Sequence, residues 1–327
     1  MLVHKEKEVS KSFSQNTEIP VPEVHGFSAH RTAEIGPPYM LLDYIHGTTA
    51  DNCCLNNDQS LHVLKQVADM VVNLATHKFD RIGALSINET GEFEIGRDIE
   101  TGGGPYRTAQ DYYNAVSKHR FQFYANGYFS TNLDAKRDAG LHLPSLFNQM
   151  MDILTECAAD HGPFSLTNTD IGFHNILLDE TFKIVGMIDC DTVKAAPIHV
   201  VAQYPDFSDM IILRPGLVTK KPMARKVVAE GTIVFEKFLN MIANAERLTG
   251  EESPLAIAMD SDGARLFEGL QCYMGHQNWV NVEWIESYWY MYYRALRGQR
   301  YLPVHYGELI FGYRAFRSRR ILRCRYH

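Results

Sequence analysis

The sequence predicts an α+β protein in two unequal parts, and three observations carry that prediction. Residues up to about 47 mix short apolar runs with prolines and make only a thin segment. Beyond them, apolar residues recur at three- and four-residue spacing over much of the chain, the signature of helices with one buried face. Within that helical body stands one pair of strand-like runs, "NILLD" and "FKIVGMID", joined by the turn "ET". A length of 327 residues suffices for a large core and two lobes.

Each element has its own local reason. "KEKEVSKSFSQ" reads as a short polar helix, which Pro20 and Pro22 prevent from continuing because each fixes φ and removes a donor. "PPYMLLDYIHG" predicts a buried strand running to a turn at Gly47. From Leu61 the spacing turns helical, with Leu64, Val67, Val71 and Leu74 on one face and Asp58 or Ser60 as N-cap. "GEFEIGRDIETGGGPYRTA" predicts a loop or hairpin. Leu146, Met150, Ile153 and Cys157 form a second helical stripe, closed by "HGPF". After the strand pair, "RKVVAEGTIVFEKFLNMIANAERLTG" predicts an amphipathic helix ending at Gly250, and the aromatic run "WIESYWYMYYRALRG" predicts core.

Composition narrows the function. Hydrophobic residues at 45% and charged residues at 22% are ordinary for a folded chain. A formal charge of −7 argues against a nucleic-acid partner, and the basic tail "RAFRSRRILRCRYH" reads as a solvated helix end. No apolar run reaches the length of a membrane span, and the charged N-terminus shows no secretory signal. Cysteines at 53, 54, 157, 190, 272 and 324 form no CxxC pair, so free thiols in a reducing compartment are expected. A cytoplasmic location follows, and the sequon at Asn88 then has no glycosylation context.

The chemistry concentrates in "LTNTDIGFHNILLD", residues 166–179, and in "MIDCD" after it. If the hairpin turns at Glu180 and Thr181, Asn175 opens its first strand and Asp189 closes its second, so antiparallel pairing brings them together. Asp170 lies in the polar loop that enters the same end. One carboxylate, one amide oxygen, waters and phosphate oxygens make a magnesium site, and a second carboxylate can take a hydroxyl proton. Each residue alone could merely cap a turn or end a strand. The spacing D-x-x-x-x-N, followed by a strand ending in "ID", favours one shared site.

These residues resemble the phosphotransferase family of aminoglycoside and choline kinases, relatives of the eukaryotic protein kinases. The family signature H-x-D-x-x-x-x-N and a strand ending in I-D correspond to "NTDIGFHN" and "MID". "TEIPVPEVHGF", "GPPYMLLDYIHGTT" and "FDRIGALS" are similar to further landmarks of a large fungal branch, so the likeness spans most of residues 1–215. It implies a bilobal protein-kinase-like fold, with residues 1–47 as the remnant of a small N-lobe and inter-lobe linker and 48–327 as a mainly helical C-lobe. It also implies ATP and Mg²⁺ as cofactors and a small-molecule hydroxyl as acceptor. Asp170 would be the catalytic base. Asn175 and Asp189 would bind the metal, and backbone at Asp43, Tyr44 and Ile45 would bind adenine. Glu8, or Glu6 in its place, would be the helix glutamate that pairs with a phosphate-binding lysine.

Two departures from the pattern shape the expectation. Asn168 stands where the motif has histidine, which buttresses the loop and is not the proton acceptor, so some loss of loop order is expected. Only seven residues precede Glu8, and Lys5 and Lys7 share its segment, so a truncated β lobe without the lysine strand is expected. "TGGGP" at 101–105 reads as a turn and not as a phosphate loop. Three functions then compete: an ATP-dependent small-molecule kinase, a pseudokinase or interaction module, and a metal-dependent hydrolase. The hydrolase is the weakest, because no His-x-x-x-His, His-x-Asp or CxxC ligand set occurs. Glu230, Glu251, Glu252, Asp260 and Asp262 suit either a cationic acceptor or a solvated surface.

Overall fold

The computed structural model describes residues 17–28, 36–88, 90, 92–125, 147, 148, 151, 160–205, 222–250, 254–261, 263, 264, 267 and 268. Glu6, Glu8, Glu251, Glu252, Asp262, the stripe residues Leu146, Met150, Ile153 and Cys157, and the aromatic run after 283 lie outside them, as does the side chain of Glu230. The chain gathers into two compact units. The first comprises 1–112, 158–209 and 237–259, and the second 113–157, 210–236 and 260–327.

Among the described residues, every strand falls in the first unit. β1 (Val24–Ser28) and β2 (Tyr39–Leu42) form an antiparallel two-stranded sheet. The expected buried strand to Gly47 is shorter and more open: it ends at Leu42, and Leu41 is 56% exposed. Among the described residues its hydrogen-bonded neighbour is β1 alone, and alternate side chains of so narrow a sheet stay open to solvent.

After β3 (Thr48–Thr49) and a 3₁₀ turn (Ala50–Asn52), helix α1 spans Asn57–Thr76. The cap is Asn56, upstream of both residues expected to serve. Its side chain accepts the Gln59 N–H at 3.0 Å, while Gln59 Oε1 accepts the Asn56 N–H at 2.8 Å. This reciprocal box satisfies two donors that a helix start otherwise leaves unpaired. Val63, Leu64, Val67, Val71 and Leu74 are buried along one face, as the spacing requires, and α1 packs against β7 (Phe164–Asn168).

A five-stranded antiparallel sheet has the order β4-β7-β10-β5-β6, with β4 at Lys78–Phe79, β5 at Gly83–Ile87, β6 at Phe93–Ile95 and β10 at Val193–Ala196. Only β6 falls in the glycine-rich stretch expected to be a loop or hairpin, and its partner β5 stands before that stretch. A smaller sheet, β3-β8-β9, adds β8 (Ile176–Leu178) and β9 (Ile184–Met187). Helix α2 spans Ala109–Ala125, α3 Ile198–Val201, α4 Pro222–Thr249 and α5 Pro254–Met259. In the second unit, Tyr113 meets Phe147 edge-on at 5.9 Å, and Phe147 meets Phe267 at 6.3 Å. Among the described residues, no helix is long and apolar enough to cross a membrane.

Strand β10 carries a buried cation. Lys194 Nζ lies 2.9 Å from the Tyr112 hydroxyl, 3.1 Å from Asp98 Oδ1 and 3.5 Å from Glu100 Oε2. Asp98 also accepts the Thr101 N–H at 2.9 Å and its hydroxyl at 2.8 Å, so "TGGGP" is a turn wrapped on this carboxylate. Burial alone would push the Lys194 ammonium down, but Tyr112, Asp98 and Glu100 reverse that and raise it. Burial likewise works against ionised Asp98, and Lys194 and Thr101 overcome it, holding Asp98 below its ordinary 3.8. The stabilisation from Asp98 is present above 3.8 and lost as pH falls through its lowered value. That from Lys194 is present below 10.5 and lost as pH rises through its raised value.

Removing Asp98 leaves the buried Lys194 ammonium with the more distant Glu100, at 3.5 Å, as its remaining carboxylate. Asp98→Ala is therefore expected to cost about 3–5 kcal/mol at neutral pH, read as a lowered urea midpoint. A variant as stable as the wild type would show that the tie contributes nothing.

Candidate active site

The stretch that carries the candidate residues is built from the end of one sheet and the start of another. β7 closes at Asn168, whose side chain is buried and cannot reach water for its hydrogen bonds. Its Oδ1 accepts the Asp170 N–H at 3.0 Å and a short bond from the Thr192 hydroxyl. Asparagine at this position thus ties the loop to the segment leading into β10. The loop then makes a 3₁₀ turn, Phe173–Asn175, and enters β8.

Asn175 is the joint of the site. Its side chain is buried, and Nδ2 donates to the Asp170 carbonyl at 3.0 Å and to Asp170 Oδ2 at 3.2 Å. Both partners are pure acceptors, so the atom facing them must be the amide nitrogen. Oδ1 is therefore the amide atom left to meet a cation. The Asn175 backbone carbonyl accepts the Ile188 N–H at 2.9 Å, next to the ladder pair Ile176↔Met187.

Asp189 follows Ile188 directly, is exposed, and has a φ of 57°, a left-handed conformation that aspartate tolerates better than most residues. The expected meeting of Asn175 with the end of the second strand is thus present in the backbone. At the far end the hairpin turn is held by Asp179 Oδ1, which accepts the Thr181 N–H, the Thr181 hydroxyl and the Lys183 N–H at 2.7–3.0 Å.

The expected adenine-binding segment is anchored from two sides. Asp43 donates its N–H to the Glu23 carbonyl at 3.0 Å, so that group is already spent. Its carboxylate accepts the Glu23 N–H at 3.1 Å and bonds His25 Nε2 at 2.6 Å. The Tyr44 ring is 79% exposed and stands edge-on to His46 at 4.9 Å. Ile45 lies over Gly186 of β9, where a Cβ would come within 2.7 Å of Ile45 Cδ1. The segment therefore rests directly on the hairpin that carries Asn175 and Asp189.

Two neighbours are not marked by the sequence. His174 Nε2 lies 3.6 Å from Asp170 Oδ1, both side chains being roughly half exposed. A four-residue separation across the turn is the available signal, but the family motif leaves that position unspecified. Thr192 is the other, and nothing in its local sequence distinguishes it. Among the described residues, no three His, Cys, Asp or Glu side chains form a metal-binding group. One amide oxygen and one carboxylate nonetheless suit magnesium, which keeps several waters and takes phosphate oxygens as further ligands.

A sequence model described as "Phosphotransferase enzyme family" matches residues 1–200, which include Asp43, Asp170, Asn175 and Asp189. No curated protein matches the chain in sequence. Among solved structures, it is similar to a thermostable mutant of aminoglycoside phosphotransferase APH(4)-Ia in ternary complex with ADP and hygromycin B. That match has 16% identity, a TM-score of 0.44, and coverage of 91% of this chain and 84% of the other. A putative aminoglycoside phosphotransferase from Ralstonia eutropha matches at 12% identity and a TM-score of 0.43, covering 83% and 82%. Macrolide 2'-phosphotransferase type I matches at 13% identity and a TM-score of 0.37, covering 88% and 77%.

Asn168→Ala removes the acceptor for both the Asp170 N–H and the Thr192 hydroxyl. The expected cost is about 1–3 kcal/mol, with faster hydrogen exchange at the Asp170 amide. Unchanged exchange there would mean that Asn168 does not hold the loop.

Proposed function

The chain belongs to the phosphotransferase enzyme family, and from that premise we propose that it is an ATP-dependent kinase that phosphorylates a hydroxyl of a small molecule. The observation that carries this reading is the bond between Asn175 and Asp170, which keeps a carboxylate and an amide oxygen at one end of the β8–β9 hairpin. In the reaction the acceptor O–H bond breaks as its oxygen bonds to the γ-phosphorus, and the bond from that phosphorus to ADP breaks. The proton goes to the Asp170 carboxylate. Asp170 also orients the hydroxyl, while Asn175 Nδ2 keeps Oδ2 in place and Asn168 fixes the loop through the Asp170 N–H.

Asn175 Oδ1 and the Asp189 carboxylate would hold magnesium, which when bound neutralises charge on the phosphates. The adenine edge would be read by the backbone of Asp43, Tyr44 and Ile45, less the Asp43 N–H already given to Glu23. Glu8 would complete the nucleotide side as the helix glutamate.

The test is turnover of ATP with a panel of hydroxyl acceptors. Asp170→Asn keeps the shape and an acceptor oxygen but loses the base. It is expected to lower kcat by roughly 10²–10⁴ while leaving MgATP affinity within about threefold of the wild type. Equal turnover by the variant and the wild type would defeat the proposal.

A further inference from the structure

We propose that His25 is a positioning residue for the nucleotide: through its bond to Asp43 it fixes the linker backbone that meets adenine. This rests on the kinase reading above and adds to it a residue outside the linker itself.

The geometry begins with a defect in β1. Val24 pairs with Leu42 and Gly26 with Leu41, so His25 is an extra residue opposite two consecutive partners. Such a bulge interrupts the alternation of side chains and re-aims the inserted one. Here the inserted imidazole reaches past the end of β2 to Asp43 Oδ1, at 2.6 Å. The other two bonds run between Asp43 and Glu23: Oδ2 takes the Glu23 N–H, and the Asp43 N–H meets the Glu23 carbonyl. Asp43 is thus held by its main chain and by both carboxylate oxygens, at the point where the sheet gives way to the linker. Without the bulge, His25 would follow the alternation of β1 and the third bond would be lost.

The clasp is open to solvent, with side-chain exposures of 52% for His25 and 48% for Asp43. The groups around the imidazole favour its charged form. Asp43 faces it directly, and Glu23 lies two residues before it, just ahead of β1. Of the β2 residues only Tyr39 titrates, and it pairs with Ser28 at the opposite end. The Asp43 bond raises the His25 imidazole above its ordinary 6.5, against a smaller opposing effect of burial. The bonds from His25 and the Glu23 N–H hold the Asp43 carboxyl below its usual range. With His25 raised, the charge-assisted bond is fully present below pH 6.5 and fades as pH rises through the raised value.

The experiment titrates MgATP into wild type, His25→Gln and Asp43→Asn by calorimetry from about pH 5.5 to about pH 8.5. Taking the ratio of variant to wild-type Kd at each pH cancels the ionisation of ATP itself. For both variants the ratio is expected to be about threefold to tenfold at the acid end and to fall toward one at the alkaline end. A ratio constant across the range, or equal to one throughout, overturns the clasp while leaving the kinase reading intact. A wild type that binds no MgATP at any pH removes the kinase reading, and the clasp with it.

Discussion

The candidate site depends on a single amide group. Asn175 sits where a polar loop becomes a strand, and its nitrogen has two acceptors on Asp170 while its backbone carbonyl takes the Ile188 N–H. A carboxylate in that position would repel Asp170 and could not donate. A hydrophobic residue would leave the Asp170 carbonyl without this partner. Asparagine alone among short side chains offers a donor on one side and an oxygen on the other. The loop, the hairpin and the exposed end at Asp189 are therefore organised around the one residue type that can face an acid and a cation at once.

Much of this is legible in the sequence because it is local. Two apolar runs around a short polar turn announce a hairpin, although its register is not set by the turn alone. Residues 179–183 separate the strands, and a shift between Leu177 and Leu178 brings Ile176 opposite Met187. The helical face of α1 follows from spacing alone. Its cap does not, because Asn56, Asp58 and Ser60 are all good cap residues within one turn, and the Gln59 side chain decides among them by answering only Asn56. The strand before Gly47 is less buried than its letters predict for a related reason. Apolar letters predict burial only where a second layer covers them, and sheet pairing is not written in a short run of residues.

What stays hidden is what joins distant segments. Lys194 on a central strand reads as an anomaly until Asp98, Glu100 and Tyr112 arrive from far upstream to surround it. Thr192 carries no mark until Asn168 comes within reach. His25 looks like one more polar residue after two prolines, because a bulge belongs to the register between two strands and not to either strand alone. Family membership, in contrast, is visible early, since the signature residues crowd into one loop and one hairpin.

The contact between Ile45 and Gly186 has a mechanical consequence. Ile45 lays the end of its side chain on a strand residue that has none of its own, so an aliphatic tip touches bare backbone. A methyl at 186 would come within 2.7 Å of Ile45 Cδ1, the free end of a flexible side chain, which would have to turn aside. Residues 43–45 and the β8–β9 hairpin thus meet through the tip of one aliphatic side chain seated in the space that glycine leaves, a joint that can adjust without parting.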